Sequence, residues 1–593
     1  MASSVSNIRP PGIYDEMAER RHTPITLGKS GVPGFVGLAQ RGPTNTPVRI
    51  TGIPQFLDVF GDLPQGGFLA PAVEAFFHNG GRECFVVRVA HRTGMGGGDL
   101  AAPARLQLDD REGRPAIRVE ASSEGVWGNQ IVVSARVQAP RAQTFLTLDA
   151  QKGECEATVR STHGFRPGTL VRIHNDGAEE HRYISGVYGK TIQWDVDEPL
   201  PEGMAASAPT YVEPVEFQLS VRSPLANETF SDLSLNPASP FFAERVVAER
   251  SRLVRLFLLA SRSSPPMNLP ADVQDVPMSG GHDGLEGLTP DDFIGMSGGP
   301  DNRTGLFALE VVDDIDLLAI PDVMWLFRRN AGLKVGPFST LKDVEVVHDA
   351  MVSQCERLSD RFAVLDSPFP DDAGRTREYR LAFDTRFAAL YFPWIVMDRG
   401  GRQITVPPSG HVAGVVARCD EEMGVHKPPA NEVVRDAEDL AVLLREEDIG
   451  YLNSEGINCI RTFSTRGLRV WGARVMSSDP QFRYVNVRRI LNSINRAMNT
   501  NLQWVVFEPN LPSLWKTVTR NVTHFLLDLW RKGYFTGSTP EEAFFVKCDD
   551  ETNPPEEREA GRMIVEVGVA PVRPTEFVVL RVAQEMQGAS EGD

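Results

Sequence analysis

The stretch "FLAPAVEAFFHNGGRECFVVRVA", residues 68–90, carries the first decision about fold. Its first part has the pattern of a helix, and Gly80 and Gly81 stop it, because glycine supplies the left-handed backbone on which helices end. The part that follows, "ECFVVRVA", reads as a strand buried on both faces. Upstream, "VPGFVGLA" reads as another strand. A strand, a helix and a strand in that order open an α/β fold.

The same alternation returns later. A helix is predicted near "FFAERVVAERSRLV", a strand in "IDLLAIPD", a helix in "LKDVEVVHDAMVSQCERL", a strand in "RFAVLDSP" and an apolar run in "FAALYFPWIV". Such alternation argues for a mainly parallel sheet covered on both faces. Between the two α/β stretches the texture changes after the Gly-rich "HRTGMGGGDLAAPA". "ARLQLDD", "AIRVEAS", "QIVVSARV", "TLVRIHN", "HRYISGVYG" and "TIQWDVDEPL" read as short strands separated by turn residues, so residues 97–222 are expected to form an inserted β-rich domain.

A chain of 593 residues is too long for one hydrophobic core, and two to four domains are expected. The composition, 41% hydrophobic and 24% charged, is that of a globular protein. A formal charge of −18 argues against a nucleic-acid footprint, which needs a basic face to release counterions. The first residues lack the apolar core of a signal peptide, and no stretch approaches the roughly 20 apolar residues that span a bilayer. Synthesis and folding in the cytoplasm are therefore expected. The six cysteines, at 84, 155, 355, 419, 459 and 548, form no CxxC pair, and they read as buried, inert thiols.

The last third is the most readable. In "SLWKTVTRNVTHFLLDLWRKG" the residues Trp515, Val518, Val522, Phe525 and Leu529 recur at steps of three and four, with Ser513 placed to cap and Gly533 to stop. In "YVNVRRILNSINRAMNT" the residues Val487, Leu491, Ile494 and Met498 share a stripe while Arg488, Arg489 and Arg496 point elsewhere, which gives a basic side in an acidic protein. Val565, Val567 and Val569 alternate as a strand, and Phe577 to Val582 form a second one that nothing after it can cover. Such a strand needs a sheet to join, in its own chain or in a neighbour. Residues 1–30 are Pro-rich at the start, show no helical period and read as an arm.

Three chemical patterns invite a test. "GVYGKT" and "GKS" end like phosphate-binding loops, but the first glycine of such a loop is missing, with Ile184 and Thr23 in its place. "GVYGKT" also lies between two strand-like segments and reads as a hairpin turn. Asp313, Asp314 and Asp316 could hold Mg²⁺ or Ca²⁺, yet they run straight into an apolar strand without the glycine-punctuated alternation of a calcium loop. In "VPPSGHVAGVVARCDEEMGVHKPPANE", Ser409 and His411 could meet an Asp as a hydrolase triad if they lie on a strand, whereas on a helix they diverge. No GxSxG elbow is present in this span; Pro407 and Pro408 can set the start of a helix, and Gly410 and Gly414 would let it approach the sheet closely.

These strings together resemble the contractile tail sheath proteins of phages and of phage-derived injection systems. The resemblance runs through "PGIY", "GFVGLAQRGPTNTPVRIT", "FLDVFGD", "AVEAFFHNGGRECFVVRV", "GHDGLEGLTPDDFIG", "RTGLFALEVVDDIDLLAIPD", "RFAVLDSP" and "YFPWIV". It is most specific in "GINCIRTFSTRGLRVWGAR", "SSDPQFRYVNVRRI", "WVVFEPN", "PEEAFFVKCD" and "VEVGVAPVRPTEFVV". It implies a subtilisin-like α/β core without protease activity, and it implies little for 97–222, which look like a variable surface insertion. The expected organisation is an N-terminal linker arm (1–30), the first part of the core (31–96), the insertion (97–222), the rest of the core (223–425), an α+β C-terminal domain (426–572) and a C-terminal strand arm (573–593).

The family implies a structural protein, with no cofactor, that stacks as six-membered rings into a helical homo-oligomer around an inner tube, between a baseplate and a tail-terminator or cap protein. Such a sleeve is assembled extended and shortens on a baseplate trigger, as part of a phage tail or of a released injection particle. No nucleic-acid partner and no direct membrane insertion are expected. Neighbouring subunits would be joined by the arms, through Ile13 and Tyr14 at one end and Phe577, Val578, Val579 and Leu580 at the other. Arg488 and Arg489 are candidate contacts to an acidic inner tube, with salt bridges inside the fold as the competing reading. The competing functions are a serine hydrolase using Ser409 and His411, and a binding protein acting through the inserted β domain.

Overall fold

The structure is a computed structural model, which describes residues 24–63, 66–92, 100–259, 263–299, 302–333 and 336–576. Ile13, Tyr14 and Phe577 to Leu580 lie outside the described residues.

A nine-stranded sheet organises the body. Its strands are β1 (Pro33–Gly37), β2 (Val48–Ile50), β3 (Cys84–Arg88), β4 (Leu317–Ala319), β5 (Phe362–Asp366), β6 (Ala388–Phe392), β7 (Glu432–Val433), β8 (Ile457–Phe463) and β9 (Gly467–Trp471), in the spatial order β2-β3-β1-β4-β5-β6-β8-β9-β7. The six from β3 to β8 are mutually parallel, β2 at one edge and β9 near the other run against them, and β7 pairs antiparallel with β9 and so runs with the six. Five helices matter below: α1 (Leu69–His78), α2 (Leu341–Leu358), α3 (Ser409–Glu422), α4 (Val485–Asn501) and α5 (Pro512–Arg531).

Both faces of the sheet are covered, as the uniformly apolar strands require. Successive residues alternate between two cores. Phe35, Val86, Leu317, Val364 and Ala389 pack with α1 and α3, while Val36, Val87, Leu318, Leu365 and Leu390 pack with α2.

The β texture read over 97–222 continues in the structure to Pro277. Phe217–Arg222 pairs with both Val132–Val137 and Asn227–Leu233, and Val273–Pro277 adds to the other side of Val132–Val137. Val254–Leu258 returns to Pro115–Ala121, which also pairs with Arg105–Asp109. The helix in the second α/β stretch, Ala243–Arg250, is thus flanked by strands of the insertion. A further six-stranded sheet, from Thr144–Phe145 to Tyr211–Pro214, has its two edges joined by a bridge between Leu146 and Val159, which closes a small barrel. Leu146, Val159, Val171, Ile173, Ile192, Trp194 and Val212 belong to its core cluster. "GVYGKT" forms the hairpin between Glu179–Tyr188 and Thr191–Trp194.

The C-terminal part packs α4 and α5 against an antiparallel pair, Phe544–Lys547 and Glu566–Val569. The α5 stripe of Trp515, Val518, Val522, Phe525 and Leu529 is buried. Its start differs from the expectation at Ser513: Leu511 takes the cap position and Pro512 the first turn, where a missing N–H costs nothing. Gly533, with φ +83°, follows the end of the helix.

Candidate interaction site at the roots of the chain termini

Helix α4 is buried on more than its apolar stripe. Val487 and Ile494 lie in the core, and so do Asn492 and the residues Arg488, Arg489 and Arg496, the three arginines that the sequence places on a basic side. The correction has a physical cause, because each guanidinium finds partners inside the fold.

Arg489, 3% exposed, reaches Asp420 at the end of α3 through Nη1 (2.8 Å to Oδ1) and Nη2 (2.5 Å to Oδ2), and Asp316 before β4 through Nη2 (2.7 Å). Burial alone would push this guanidinium down; Asp420 and Asp316 reverse that and hold it above its ordinary value. Burial pushes the Asp420 carboxyl up and Arg489 opposes the shift. The forked hydrogen bonds to a guanidinium that stays protonated keep the group ionic. Arg488 lies with its guanidinium carbon 4.5 Å from the Phe387 ring centre and donates Nε to Asn492 (2.9 Å). Burial, helped by nearby Arg386, lowers its pKa to about 10. Both side chains are thus turned into the fold rather than toward a tube.

The same helix holds both ends of the described chain. On the N-terminal side, Asp316 accepts the Gly31 and Val32 amides (3.0 and 2.7 Å), Arg496 donates to the Lys29 carbonyl (2.5 Å), and Asn501 donates to the Thr26 carbonyl (3.4 Å). Lys29 adds ion pairs to Glu83 (2.6 Å) and Asp314 (3.4 Å). Residues 26–32 therefore form a strap across the C-terminal half of α4. A cavity of about 370 Å³ lies beside it, bordered by Arg82, Glu83, Asp420 and Glu421.

On the C-terminal side, Asn486 donates to the Val572 and His426 carbonyls (2.9 Å each). Arg474 grips Glu576 through Nε (2.8 Å) and Nη2 (2.6 Å), and the Tyr484 hydroxyl donates to the same carboxylate (3.2 Å). The Arg474 hydrogen bonds hold Glu576 below its ordinary value against partial burial. Beside this root stands the pair Phe544–Lys547 and Glu566–Val569, and neither of its outer edges meets another strand among the described residues.

The residues that suggested chemistry are used elsewhere. Ser409 opens α3, and its amide donates to Asp366 at the end of β5 (2.8 Å). His411 is fully buried, with Nε2 3.1 Å from the Asp436 carbonyl, and burial lowers its pKa to about 4. A histidine held neutral by burial and turned to a carbonyl is not set beside Ser409 as a base. Burial raises Asp366 to about 7 and Cys419 to about 11, so the thiol stays protonated at neutral pH. Gly410 and Gly414 do allow a close approach, but to α1: an added Cβ would stand 2.4 Å from the Ala72 carbonyl oxygen and 2.5 Å from that of Phe76. Asp314 and Asp316 face Lys29 and Arg489 respectively, and no group of three or more His, Cys, Asp and Glu suited to a metal occurs among the described residues. Asn486, Arg474 and Glu576 escaped the sequence reading; two adjacent arginines on a helix of an acidic chain were the only signal of this region.

Comparison with known proteins bears on this region directly. The description "Phage tail sheath protein central domain" matches residues 337–476, and "Phage tail sheath C-terminal domain" matches residues 477–585. The chain belongs to the contractile tail sheath family. The junction between the two sheath domains falls just ahead of α4. The tail sheath protein of Escherichia phage P2 is 25% identical over 247 residues, which are 40% of this chain and 60% of that one. The putative prophage major tail sheath protein of Pseudomonas aeruginosa is 24% identical over 288 residues, 46% of this chain and 70% of its own. The matched segment thus spans about 60% of the phage P2 sheath protein's length. In fold, the chain is similar to the helical sheath of the anti-feeding prophage in its contracted state, with a TM-score of 0.52 and 20% identity over 98% of this chain and 100% of that one.

Proposed function

We propose that this protein is a structural sheath subunit that polymerises as stacked six-membered rings around an inner tube, between a baseplate and a terminal cap, and shortens to drive the tube through a target envelope. The observation that carries this reading is the common root of the two termini on α4, beside a two-stranded sheet whose outer edges are open. Residues 577–580, "FVVL", follow directly from Glu576 and have the composition of a strand. Added to such an edge in a second copy, they would join subunits by main-chain hydrogen bonds, and Ile13 and Tyr14 would do the same from the other end.

Each such bond contributes only about 0.5–1.5 kcal/mol net, so one arm holds modestly while many in parallel hold tightly. A head-to-tail contact that does not close on itself propagates as a helix. The work is mechanical: rigid bodies rotate and slide while the shared strands stay paired, and the energy is stored at assembly without a nucleotide or cofactor. Assembly takes place in the cytoplasm, and the product is a phage tail or a tail-like particle.

Electron microscopy of the purified particle tests the reading. Striated sheaths in two lengths, the shorter one wider, are expected. Particles of a single fixed length, or a chain that stays monomeric and reacts with a serine-directed fluorophosphonate, would remove it.

A further inference from the structure

The turn after α4 carries an apolar tip exposed to solvent. Phe507 is 102% exposed, Val506 62% and Leu511 54%. Phe507 also sits at φ +70°, in the left-handed region that a bulky side chain adopts only at a cost. The tip is nonetheless held firmly at its base. Trp515, buried in α5, donates Nε1 to Asn510 (2.7 Å), and Asn510 donates to the Arg562 carbonyl (2.9 Å). Val506 and Glu508 donate their amides to the Gln503 and Val505 carbonyls (3.2 and 3.1 Å). A strained backbone, fixed from below, presents an aromatic ring wholly to solvent. Within a monomer this arrangement costs strain and gains no burial.

The position of the tip says what covers it. Ile25 is buried in the same cluster that Trp504 and Val505 pack against, and Thr26 is held by Asn501, six residues before Phe507. Pro24, the first of the described residues, therefore stands next to the cluster from which the tip projects. We propose that Val506 and Phe507 form a knob that docks onto a second copy of this chain, the copy that the proposed N-terminal arm would join. This rests on the sheath reading above and adds to it a rigid side-chain contact at the point where the arm departs. Exposed aromatic anchors of this kind dominate interface energetics, and a ring docked in a neighbour loses its strain-only role.

The test uses the full-length chain. Phe507→Asp is assembled beside the wild type, and Phe507→Cys is labelled with a maleimide, read on its own peptide, before and after assembly. The expected results are an unchanged monomer melting temperature and, for F507D, a concentration for polymerisation raised about ten-fold or more. Labelling of F507C is expected to slow by a similar factor in tube-free polymer. Should F507D fold poorly, the labelling of F507C decides alone. Equal labelling of monomer and polymer, or F507D polymers at wild-type concentrations, overturns the knob while the sheath reading stands. Protection that appears only with the inner tube present overturns the choice of partner in favour of the tube protein. A wild-type chain that forms no polymer overturns the sheath reading, and the knob with it.

Discussion

Arg489 ties together distant parts of the chain, since its two partners lie 69 and 173 positions away in sequence. Replacing it by methionine would leave Asp420 and Asp316 buried and facing each other. Breaking a buried pair in this way costs about 3–5 kcal/mol, so Arg489→Met is expected to lower the urea midpoint strongly, and Arg489→Lys to fall between, because an ammonium cannot fork. An unchanged midpoint would show that the triad carries no stability. Asp366 acts in the opposite sense. Its folded value of about 7 lies above its ordinary 3.8, so the folded chain keeps a proton that the unfolded chain releases. Stability from this group is therefore full at low pH and is lost as pH rises from about 4 toward 7. Asp366→Asn keeps an acceptor for the Ser409 amide and cannot ionise. Its unfolding free energy, followed by denaturant melts, should gain on the wild type between pH 5 and pH 8 by an amount of order 1–3 kcal/mol, and a constant difference across that range would contradict the assignment.

Between α1 and α3 the contact is made by backbone. A methyl at Gly410 would meet the Ala72 carbonyl at 2.4 Å, so Gly410→Ala is expected to destabilise by about 1–3 kcal/mol, although alanine favours a helix by up to ~1 kcal/mol. Gly450, in the helix Glu446–Ser454, has open space around it, and Gly450→Ala should instead stabilise by about 0.5–1 kcal/mol. Thermal melts of the two variants that move in the same direction would refute the argument. At this scale the sequence was largely readable. The strands of the central sheet announce themselves as short apolar runs because both faces are buried, and the insertion strands announce themselves by alternation. What could not be read is pairing across long separations. Val273–Pro277 belongs beside Val132–Val137, and no local pattern says so. The charged residues of α4 were misplaced for the same reason: periodicity tells which side of a helix is polar, but not that Asp316 and Asp420 arrive from elsewhere to cover it. The hydrolase pattern dissolved at the level of the element, because a helix turns Ser409 and His411 to different neighbours.

At the scale of the whole molecule, the described chain is a body with two secured ends. Residues 1–22 lie ahead of the strap, and the strap itself is held by Asp316, Arg496 and Lys29. Deleting residues 1–22 should therefore leave a folded subunit with its strap intact while abolishing long sheaths. Normal tubular particles from the truncated protein, seen by negative-stain microscopy, would refute it, and a subunit that no longer folds would show that the segment belongs to the body. The proposed arms were legible only as composition, and they lie outside the described residues.

The shared root of the two termini has a further consequence. In a polymer joined through its ends, a pull entering at the strap passes through Asp316 and Arg489 into α4, and leaves through Asn486, Arg474 and Glu576. From Asn501, which holds Thr26, to Asn486 the path runs along 15 residues of one helix, roughly 22 Å at 1.5 Å per residue. The whole of the insertion lies off it. Tension between neighbours is then carried by a short tie rod, and the insertion rides on it as cargo. A subunit built this way can enlarge, shrink or exchange its barrel without altering the stiffness of the filament to which it belongs.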